Sequence, residues 1–263
     1  MNLKDIKLFL LDMDGTIYLD NDLFDGTLDF LDFVKKSGGR YIFLTNNSSK
    51  SVNKYIEKLA SLGIESTRDD FLTSTDATIW HLKKKNHKLI YAFGTKSFTE
   101  QLSASGLPIT TELCDDIDCL CMGFDTELTF KKLEDACILL NRGVYYTATN
   151  PDWVCPTWYG FVPDCGSVSE MLYNATKRKP EFIGKPSPLM PQLAMEKCNI
   201  SNEQTAVIGD RLYTDIACGV NANIGSIFVL SGEGTLEDME KSDVKPDCVF
   251  ENIRKIHDEL IKN

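Results

Sequence analysis

Residues 7–16 read KLFLLDMDGT, an apolar run that ends at two aspartates, Asp12 and Asp14. An apolar run without alternation is typical of a strand that is buried on both faces of a parallel sheet. Residues two apart in an extended segment point to the same side, so both carboxylates should project from the end of this strand. Paired carboxylates suit Mg²⁺, which prefers oxygen ligands and leaves coordination positions open for phosphate oxygens. Gly15 allows the backbone to turn tightly beside a ligand.

The aspartate motif differs from an EF-hand calcium loop, which has glycine at its sixth position and glutamate at its twelfth. Here Gly15 stands fourth and Leu23 stands twelfth. For this motif taken alone, a plain acidic turn remains the alternative.

Strand-like and helix-like patterns alternate along the rest of the chain. We expect strands at 7–11, 41–45, 89–93, 118–122, 144–149, 182–184, 206–208, 226–230 and 247–250. Between them we expect helices at 27–36, 52–62, 75–85, 129–141, 167–177, 188–197, 215–222 and 253–261. This alternation predicts an α/β fold with a mostly parallel sheet covered on both faces. In such sheets, ligands bind at the carboxyl ends of the strands.

Three further predicted strands end in groups that suit phosphate chemistry. Residues 45–49, TNNSS, precede a helix, where hydroxyl, amide and free backbone N–H groups can hold a phosphate, although such segments are usually only caps. Lys185 lies in the loop GKPSP at 184–188, where it could neutralise a carboxylate and a phosphate oxygen. Asp210 follows a strand, and Asp215 lies near the next helix start, where it would support the metal site, cap the helix, or do both.

Composition limits the partners. The formal net charge is −11 and no block of basic residues offsets it, which argues against DNA, RNA and anionic membranes. No apolar run approaches the roughly 18 residues of a membrane span, and the N-terminus does not resemble a signal peptide, so we expect a cytoplasmic protein. The nine cysteines are odd in number and lack C-x-x-C spacing, which favours reduced side chains used as small apolar fillers.

In order and spacing, these motifs resemble those of the haloacid-dehalogenase-like (HAD) phosphatases over nearly the whole chain. The resemblance implies a Rossmann-like core, a nucleophile at Asp12, and a general acid and base at Asp14. It also implies two groups of binding residues. Phosphate binding is implied for Thr45, Asn46, Asn47 and Lys185, and magnesium binding for Asp12, Asp210 and the backbone carbonyl of Asp14, with the direct or indirect role of Asp215 left open.

The spacing of the motifs also locates an insert. Asp12 and Thr45 are separated by enough chain for one helix and one strand, and so are Lys185 and Asp210. The stretch from Thr45 to Lys185 has room for a whole additional α/β domain. We therefore predict a core domain at 1–76 and 179–263 with an α/β cap domain at 77–178. A cap at this place resembles the NagD-like, or nitrophenylphosphatase, branch of the superfamily.

One segment of the predicted cap, residues 153–167, combines aromatic residues with prolines. Its aromatic side chains are Trp153, Trp158, Tyr159 and Phe161. They could form an apolar wall around a leaving group, or they could pack the cap's own core or a dimer contact. After Pro163, where the branch commonly has glycine, this chain has Asp164. A carboxylate near the substrate entrance would disfavour strongly anionic leaving groups.

These features together predict a magnesium-dependent phosphatase that hydrolyses small phosphate monoesters through a phospho-aspartate on Asp12. The expected partner is a small phosphorylated metabolite, with a homodimer through the cap as an open alternative. A phosphotransferase or sugar-phosphate mutase on the same scaffold and a non-catalytic metabolite-binding protein also remain open. The physiological ester cannot be read from these motifs, because they bind only the phosphate.

Overall fold

The computed structural model describes residues 1–157 and 159–262 and divides the chain into two compact units. The first, here called the core unit, comprises 1–45, 52–72 and the chain from Lys185 onward. The second, the insert unit, comprises 46–51 and 73–184. The insert unit begins earlier and ends later than the predicted cap at 77–178, and it also takes in 46–51.

The described elements alternate between strands and helices, as the sequence predicts. The strands are β1 (Leu8–Leu11), β2 (Tyr18–Leu19), β3 (Asp22–Leu23), β4 (Arg40–Thr45), β5 (Phe71–Thr73), β6 (Ile90–Phe93), β7 (Ile109–Thr110), β8 (Cys119–Met122), β9 (Tyr145–Ala148), β10 (Val154–Thr157), β11 (Gly160–Pro163), β12 (Glu181–Phe182), β13 (Thr205–Gly209), β14 (Gly225–Val229) and β15 (Cys248–Phe250). The helices are α1 (Thr27–Lys36), α2 (Val52–Ser61), α3 (Ser74–Lys85), α4 (Lys96–Ala104), α5 (Phe130–Arg142), α6 (Cys165–Thr176), α7 (Leu189–Cys198), α8 (Ala217–Ala222), α9 (Leu236–Lys241) and α10 (Ile253–Leu260).

The core unit is built on a sheet in the order β15-β14-β13-β1-β4-β5. Strand β1 lies at its centre and pairs in parallel with β4 on one side and β13 on the other. All four residues of β1 are buried, which explains why its sequence is apolar without alternation. Because these strands are parallel, the residues that follow them emerge at one edge of the sheet. This is the edge that the motifs predicted.

The insert unit has its own sheet, in the order β12-β9-β8-β6-β7, with every neighbouring pair parallel. Strand β8 at its centre is fully buried. The segment 153–167, predicted to be a loop, instead contains the antiparallel ribbon β10–β11 and the start of α6. Trp158 lies outside the described residues.

The predicted helix at 215–222 is also different in the structure. Residues Leu212–Ile216 form a π-helical turn, and α8 follows it. The N-cap of α8 is Ile216, without a side-chain hydrogen bond, so Asp215 does not cap this helix. The Asp215 carboxylate instead contacts the ammonium of Lys185, at the site described below.

Cys119, Cys121, Cys165 and Cys218 are buried, which fits the prediction that cysteines serve as small apolar side chains. In the described part of the chain, no helix is both long and apolar enough to cross a bilayer.

Candidate active site

Lys185 lies between two aspartates at the carboxyl edge of the core sheet. Its Nζ atom is 2.5 Å from Asp12 Oδ1 and 2.6 Å from Asp215 Oδ1. It also donates a hydrogen bond of 3.1 Å to the backbone carbonyl of Leu44, near the end of β4. Lys185 is only 2% exposed. Residues far apart in the sequence therefore meet at one buried ammonium, although β12, the strand before Lys185, belongs to the insert unit's sheet and not to the core sheet.

Asp210 joins these residues to form a carboxylate cluster, defined here as Asp12, Asp210 and Asp215. One ligand oxygen from each lies within 4.8 Å of the others. Asp210 Oδ2 accepts a hydrogen bond of 2.7 Å from the backbone N–H of Glu233. Asp210 Oδ1, however, is buried and has no hydrogen-bond partner among the described residues. A buried carboxylate oxygen without a partner is costly unless something else, such as a cation, satisfies it.

The donor set fits Mg²⁺. It contains only carboxylate oxygens, which hard divalent cations prefer. Three carboxylates face one ammonium, which leaves an excess of negative charge that a divalent cation would neutralise. Asp12, Asp210 and Asp215 are therefore the side chains from which such a cation would take its protein ligands.

The close approach of these charged groups shifts the pKa values of Asp12, Asp210 and Lys185. Burial raises the pKa of Asp12; Lys185 counteracts this rise, and Asp215 and Asp210 add to it. Burial, with Asp215 acting in the same direction, raises the pKa of Asp210 to about 6. Burial disfavours the charged form of Lys185, but the two carboxylates beside it outweigh burial and raise its pKa. Lys185 thus stays charged and favours the ionised form of Asp12.

Two glycines leave the space that Asp210 occupies. Gly15 has φ +87°, and a Cβ there would lie 2.5 Å from Asp210 Oδ2. A Cβ on Gly232 would lie 2.0 Å from the same oxygen. Because Cβ atoms do not approach this closely, both positions require glycine for the carboxylate to keep its place.

The loop 231–234 was missed as a site element in the sequence. Besides the Glu233 N–H bond, its Ser231 hydroxyl donates a hydrogen bond of 2.7 Å to the backbone carbonyl of Gly15. The loop therefore fixes both Asp210 and the aspartate motif. A signal existed, since SGEG directly follows the predicted strand at 226–230 and thus lies at another strand end.

Asp14 stands apart from the carboxylate cluster. Its side chain is 49% exposed and lies 3.7 Å from the ammonium of Lys58, on α2. The hydroxyl of Tyr18 donates a hydrogen bond of 3.4 Å to Asp14 Oδ2. The sequence did not indicate either neighbour. The implied contribution of the Asp14 backbone carbonyl to metal binding stays a prediction.

The predicted phosphate-binding segment is divided between the two units. Thr45 ends β4 in the core unit and is buried. Asn46 belongs to the insert unit, where its amide donates a hydrogen bond of 3.0 Å to Asp152 Oδ1. Asn47 accepts hydrogen bonds from the backbone N–H and the hydroxyl of Ser49. The phosphate-binding roles of these residues stay predictions.

The ribbon β10–β11 and the residues beside it expose Trp153, Tyr159 and Phe161. Asp164, in contrast, is buried, and its carboxylate accepts a hydrogen bond from the backbone N–H of Cys165 at the start of α6. A helix-capping role for Asp164 was not foreseen in the sequence. Its predicted effect on the choice of ester is a separate expectation.

Two family models match the chain. A haloacid dehalogenase-like hydrolase model matches residues 9–108, which include Asp12, Asp14 and Thr45. A HAD-hydrolase-like model matches residues 182–256, which include Lys185 and Asp210.

Known phosphatases resemble the chain along nearly its whole length. The acid sugar phosphatase of Staphylococcus aureus (strain MRSA252) is 31% identical over 261 residues, 99% of this chain and 100% of that protein. The 4-nitrophenylphosphatase of Thermotoga maritima superposes with a TM-score of 0.93 at 42% identity, covering 98% of each chain. The glycerol phosphate phosphatase of Mycobacterium tuberculosis, solved in complex with magnesium, gives a TM-score of 0.91 at 26% identity and covers 98% of this chain and 78% of that one.

Proposed function

Because the chain belongs to the haloacid dehalogenase-like hydrolases and is a phosphatase of their NagD-like branch, we propose that it hydrolyses small phosphate monoesters through a phospho-aspartate on Asp12. The observation that carries this proposal is the buried Lys185 ammonium, which is held between Asp12 and Asp215 beside the partnerless Asp210 oxygen. A nucleophilic carboxylate needs positive charge beside it, both to stay ionised and to approach an anionic ester.

In the proposed first step, Asp12 attacks phosphorus in line, and the bond from phosphorus to the ester oxygen breaks. Asp14 donates a proton to the departing alkoxide, so that a neutral alcohol leaves. In the second step, Asp14 takes a proton from water, and the resulting hydroxide oxygen bonds to phosphorus. The bond from phosphorus to Asp12 breaks, which releases phosphate and restores the Asp12 carboxylate, while Asp14 is again protonated for the next cycle.

Lys185 keeps Asp12 oriented and ionised before the attack and balances the negative charge of the phosphoryl oxygens. Magnesium, which Asp12 and Asp210 would hold with the backbone carbonyl of Asp14, supplies further positive charge to those oxygens when bound. We infer that Asp215 contributes chiefly by holding Lys185, whose Nζ atom lies 2.6 Å from Asp215 Oδ1.

The proposed substrates are sugar phosphates and polyol phosphates. The names of the similar proteins, an acid sugar phosphatase and a glycerol phosphate phosphatase, support this class. The exposed aromatic side chains of Trp153, Tyr159 and Phe161 support a role of the 153–167 segment in substrate choice, since aromatic faces pack well against sugar and aryl groups. Cytoplasmic location and dimerisation through the insert unit stay predictions.

The test measures phosphate release from sugar phosphates, glycerol phosphate, phosphoglycolate, nucleoside monophosphates, pyridoxal phosphate and 4-nitrophenyl phosphate, with Mg²⁺ and with chelator. We expect Mg²⁺-dependent release, with the highest kcat/KM among the small sugar and polyol esters. Release from none of these esters would overturn the proposal. Transfer of phosphate to added glycerol or glucose, at a rate exceeding hydrolysis, would identify a phosphotransferase instead.

A further inference from the structure

Lys58 forms a three-way contact with Asp14 and Tyr18 in the core unit. Its Nζ atom is 3.7 Å from Asp14 Oδ1 and 3.7 Å from the centroid of the Tyr18 ring. The Tyr18 hydroxyl in turn donates a hydrogen bond to the second Asp14 oxygen, Oδ2. Each oxygen of the Asp14 carboxylate therefore has a partner of its own.

The contact differs from an ordinary surface ion pair, in which two flexible side chains gain little by meeting. The Lys58 side chain is only 28% exposed, and the negative face of the Tyr18 ring attracts its ammonium. The backbone of α2 is fixed here by the buried side chains of Tyr55 and Leu59 on either side of Lys58. Lys58 is thus held in place before any substrate binds.

Tyr18 is held equally firmly. Its side chain is fully buried, and its backbone carbonyl accepts a hydrogen bond of 2.8 Å from the N–H of Gly15. This bond closes the turn that carries Asp14, so that Tyr18 and Asp14 keep a constant separation. Asp14 is otherwise half-exposed, and without these partners its carboxylate would be free to rotate about its side-chain bonds.

We propose that Lys58 is a positioning residue that, together with Tyr18, holds the Asp14 carboxylate in the orientation from which it exchanges a proton with the leaving group. The inference rests on the proposed function, because it requires Asp14 to be the general acid and base. Misplacement of a catalytic group by a small distance can lower a rate substantially, since proton transfer needs hydrogen-bond geometry.

The consequence depends on the leaving group. An alkoxide leaves poorly without a proton, whereas 4-nitrophenolate is stable enough to leave without one. Loss of the Asp14 orientation should therefore slow the cleavage of an alkyl phosphate much more than that of 4-nitrophenyl phosphate. A general attraction of Lys58 for the phosphate dianion would affect both esters equally, because both carry the same phosphate.

The experiment compares Lys58→Met, which keeps the length of the side chain but removes its charge, with Lys58→Arg, which keeps the charge. The matched control is Lys54→Met, the same substitution one turn earlier on α2 at an exposed position. For each protein, kcat/KM is measured with glycerol phosphate and with 4-nitrophenyl phosphate. This ratio covers only the steps through departure of the leaving group, so the later hydrolysis of the phospho-aspartate does not affect it.

We expect Lys58→Met to lower kcat/KM for glycerol phosphate by roughly 10- to 100-fold, part of what general acid catalysis contributes, and to lower it several-fold less for 4-nitrophenyl phosphate. Lys58→Arg should recover most of the loss, and Lys54→Met should resemble the wild type. Equal losses for the two esters, or no loss for either, would overturn the inference while leaving the phosphatase proposal intact. If the wild type hydrolyses neither ester, or if Asp12→Asn keeps full activity, the proposed function is overturned, and this inference is overturned with it.

Discussion

Two opposing effects act on the pKa of the Asp12 carboxylate. Burial raises its pKa, whereas the Lys185 ammonium, 2.5 Å away, favours its ionised form. When Asp12 is ionised it is largely out of water and therefore poorly solvated, and a poorly solvated anion is a stronger nucleophile. The residue that the sequence identified first is thus also the one whose surroundings suit covalent catalysis.

We expect Asp12→Asn to lower kcat by on the order of 10³-fold or more, because the amide has nearly the same shape but cannot act as the nucleophile. Phosphate release from the best ester measures the loss, and circular dichroism checks the fold. Asp22→Asn, the same substitution at an exposed position of β3, should leave kcat unchanged. Retention of more than a small fraction of the wild-type rate would remove Asp12 from the nucleophilic role.

Gly232 tests whether the position of Asp210 depends on the loop 231–234. In Gly232→Ala, the new Cβ would need the space of Asp210 Oδ2, so the carboxylate or the loop must move. We expect the Mg²⁺ concentration for half-maximal activity to rise by about 10- to 100-fold, the effect typical of disturbing the partners of a metal ligand. Gly106→Ala is the control, because it adds backbone strain at a positive φ where nothing lies within 4 Å. An unchanged Mg²⁺ requirement in Gly232→Ala would show that Gly232 does not set the position of Asp210 for metal binding.

At the scale of single elements, Asp164 links the insert unit's ribbon β10–β11 to α6. Its buried carboxylate accepts a hydrogen bond from the first N–H of that helix. We expect Asp164→Ala to lower the free energy of unfolding by about 1 kcal/mol, and Asp164→Asn, which preserves the cap, to lower it far less. Urea denaturation of the three proteins measures both values. Equal stabilities of the wild type and Asp164→Ala would deny the capping role.

Asp164→Asn also separates the effect of the negative charge of Asp164 from the effect of its helix-capping hydrogen bond. If the carboxylate repels anionic leaving groups, as the sequence suggested, the variant should improve kcat/KM for multiply charged esters more than for 4-nitrophenyl phosphate. Equal changes for the two kinds of ester would leave Asp164 as a structural residue alone.

The elements that the sequence predicted well are those whose pattern follows from burial. The helix predicted at 27–36 is found as Thr27–Lys36, because Phe30, Leu31 and Val34 form a buried stripe at helical spacing. Helix α4 was missed because it is short and buries only Phe98 and Leu102, too few for a visible period. The ribbon β10–β11 was missed because its side chains are mostly exposed and Pro156 interrupts the strand pattern.

The same distinction applies to the site. Asp12 and Asp210 could be predicted because each follows a strand of the core sheet, and parallel strands bring their ends together. Lys185 follows β12, which belongs to the insert unit's sheet, so this rule does not explain its position. Lys58 could not be predicted, because it lies on a helix, and only the tertiary structure brings that helix to Asp14. The support that Glu233 gives to Asp210 comes from a backbone N–H, which any residue but proline provides and no sequence pattern marks.

For the molecule as a whole, the predicted α/β fold with a mostly parallel sheet is confirmed, and so is the resemblance to NagD-like phosphatases. A chain with a net charge of −11 that hydrolyses anionic esters must bind them through local positive charge. Among the groups described here, Lys185 provides one such charge, but the carboxylate cluster around it outweighs it. The overall electrostatics therefore call for a cation at the cluster before an anionic substrate can bind.

Removal of Mg²⁺ should abolish activity for this reason. We expect full loss after exhaustive EDTA treatment, recovery on addition of Mg²⁺, and no specific preference for Zn²⁺, because the carboxylate cluster found among the described residues offers only oxygen ligands. Mg²⁺ binding should also stabilise the folded protein when no substrate is present. At a Mg²⁺ concentration 100 times the Kd, the stabilisation is about 2.7 kcal/mol, which raises Tm by roughly 5 °C or more.

Asp210→Asn separates a metal site from a merely acidic cluster. Without metal, this variant should have the same Tm as the wild type or a higher one, because it removes one negative charge from three crowded carboxylates. With Mg²⁺, it should lose most of the Tm rise, because the amide is a weaker ligand at the position where Asp210 Oδ1 now lacks a partner. Calorimetric scans of both proteins, each with EDTA and with Mg²⁺, give the four values. A Tm rise in Asp210→Asn as large as that of the wild type, or full wild-type activity in EDTA, would mean that the cluster is not where magnesium binds.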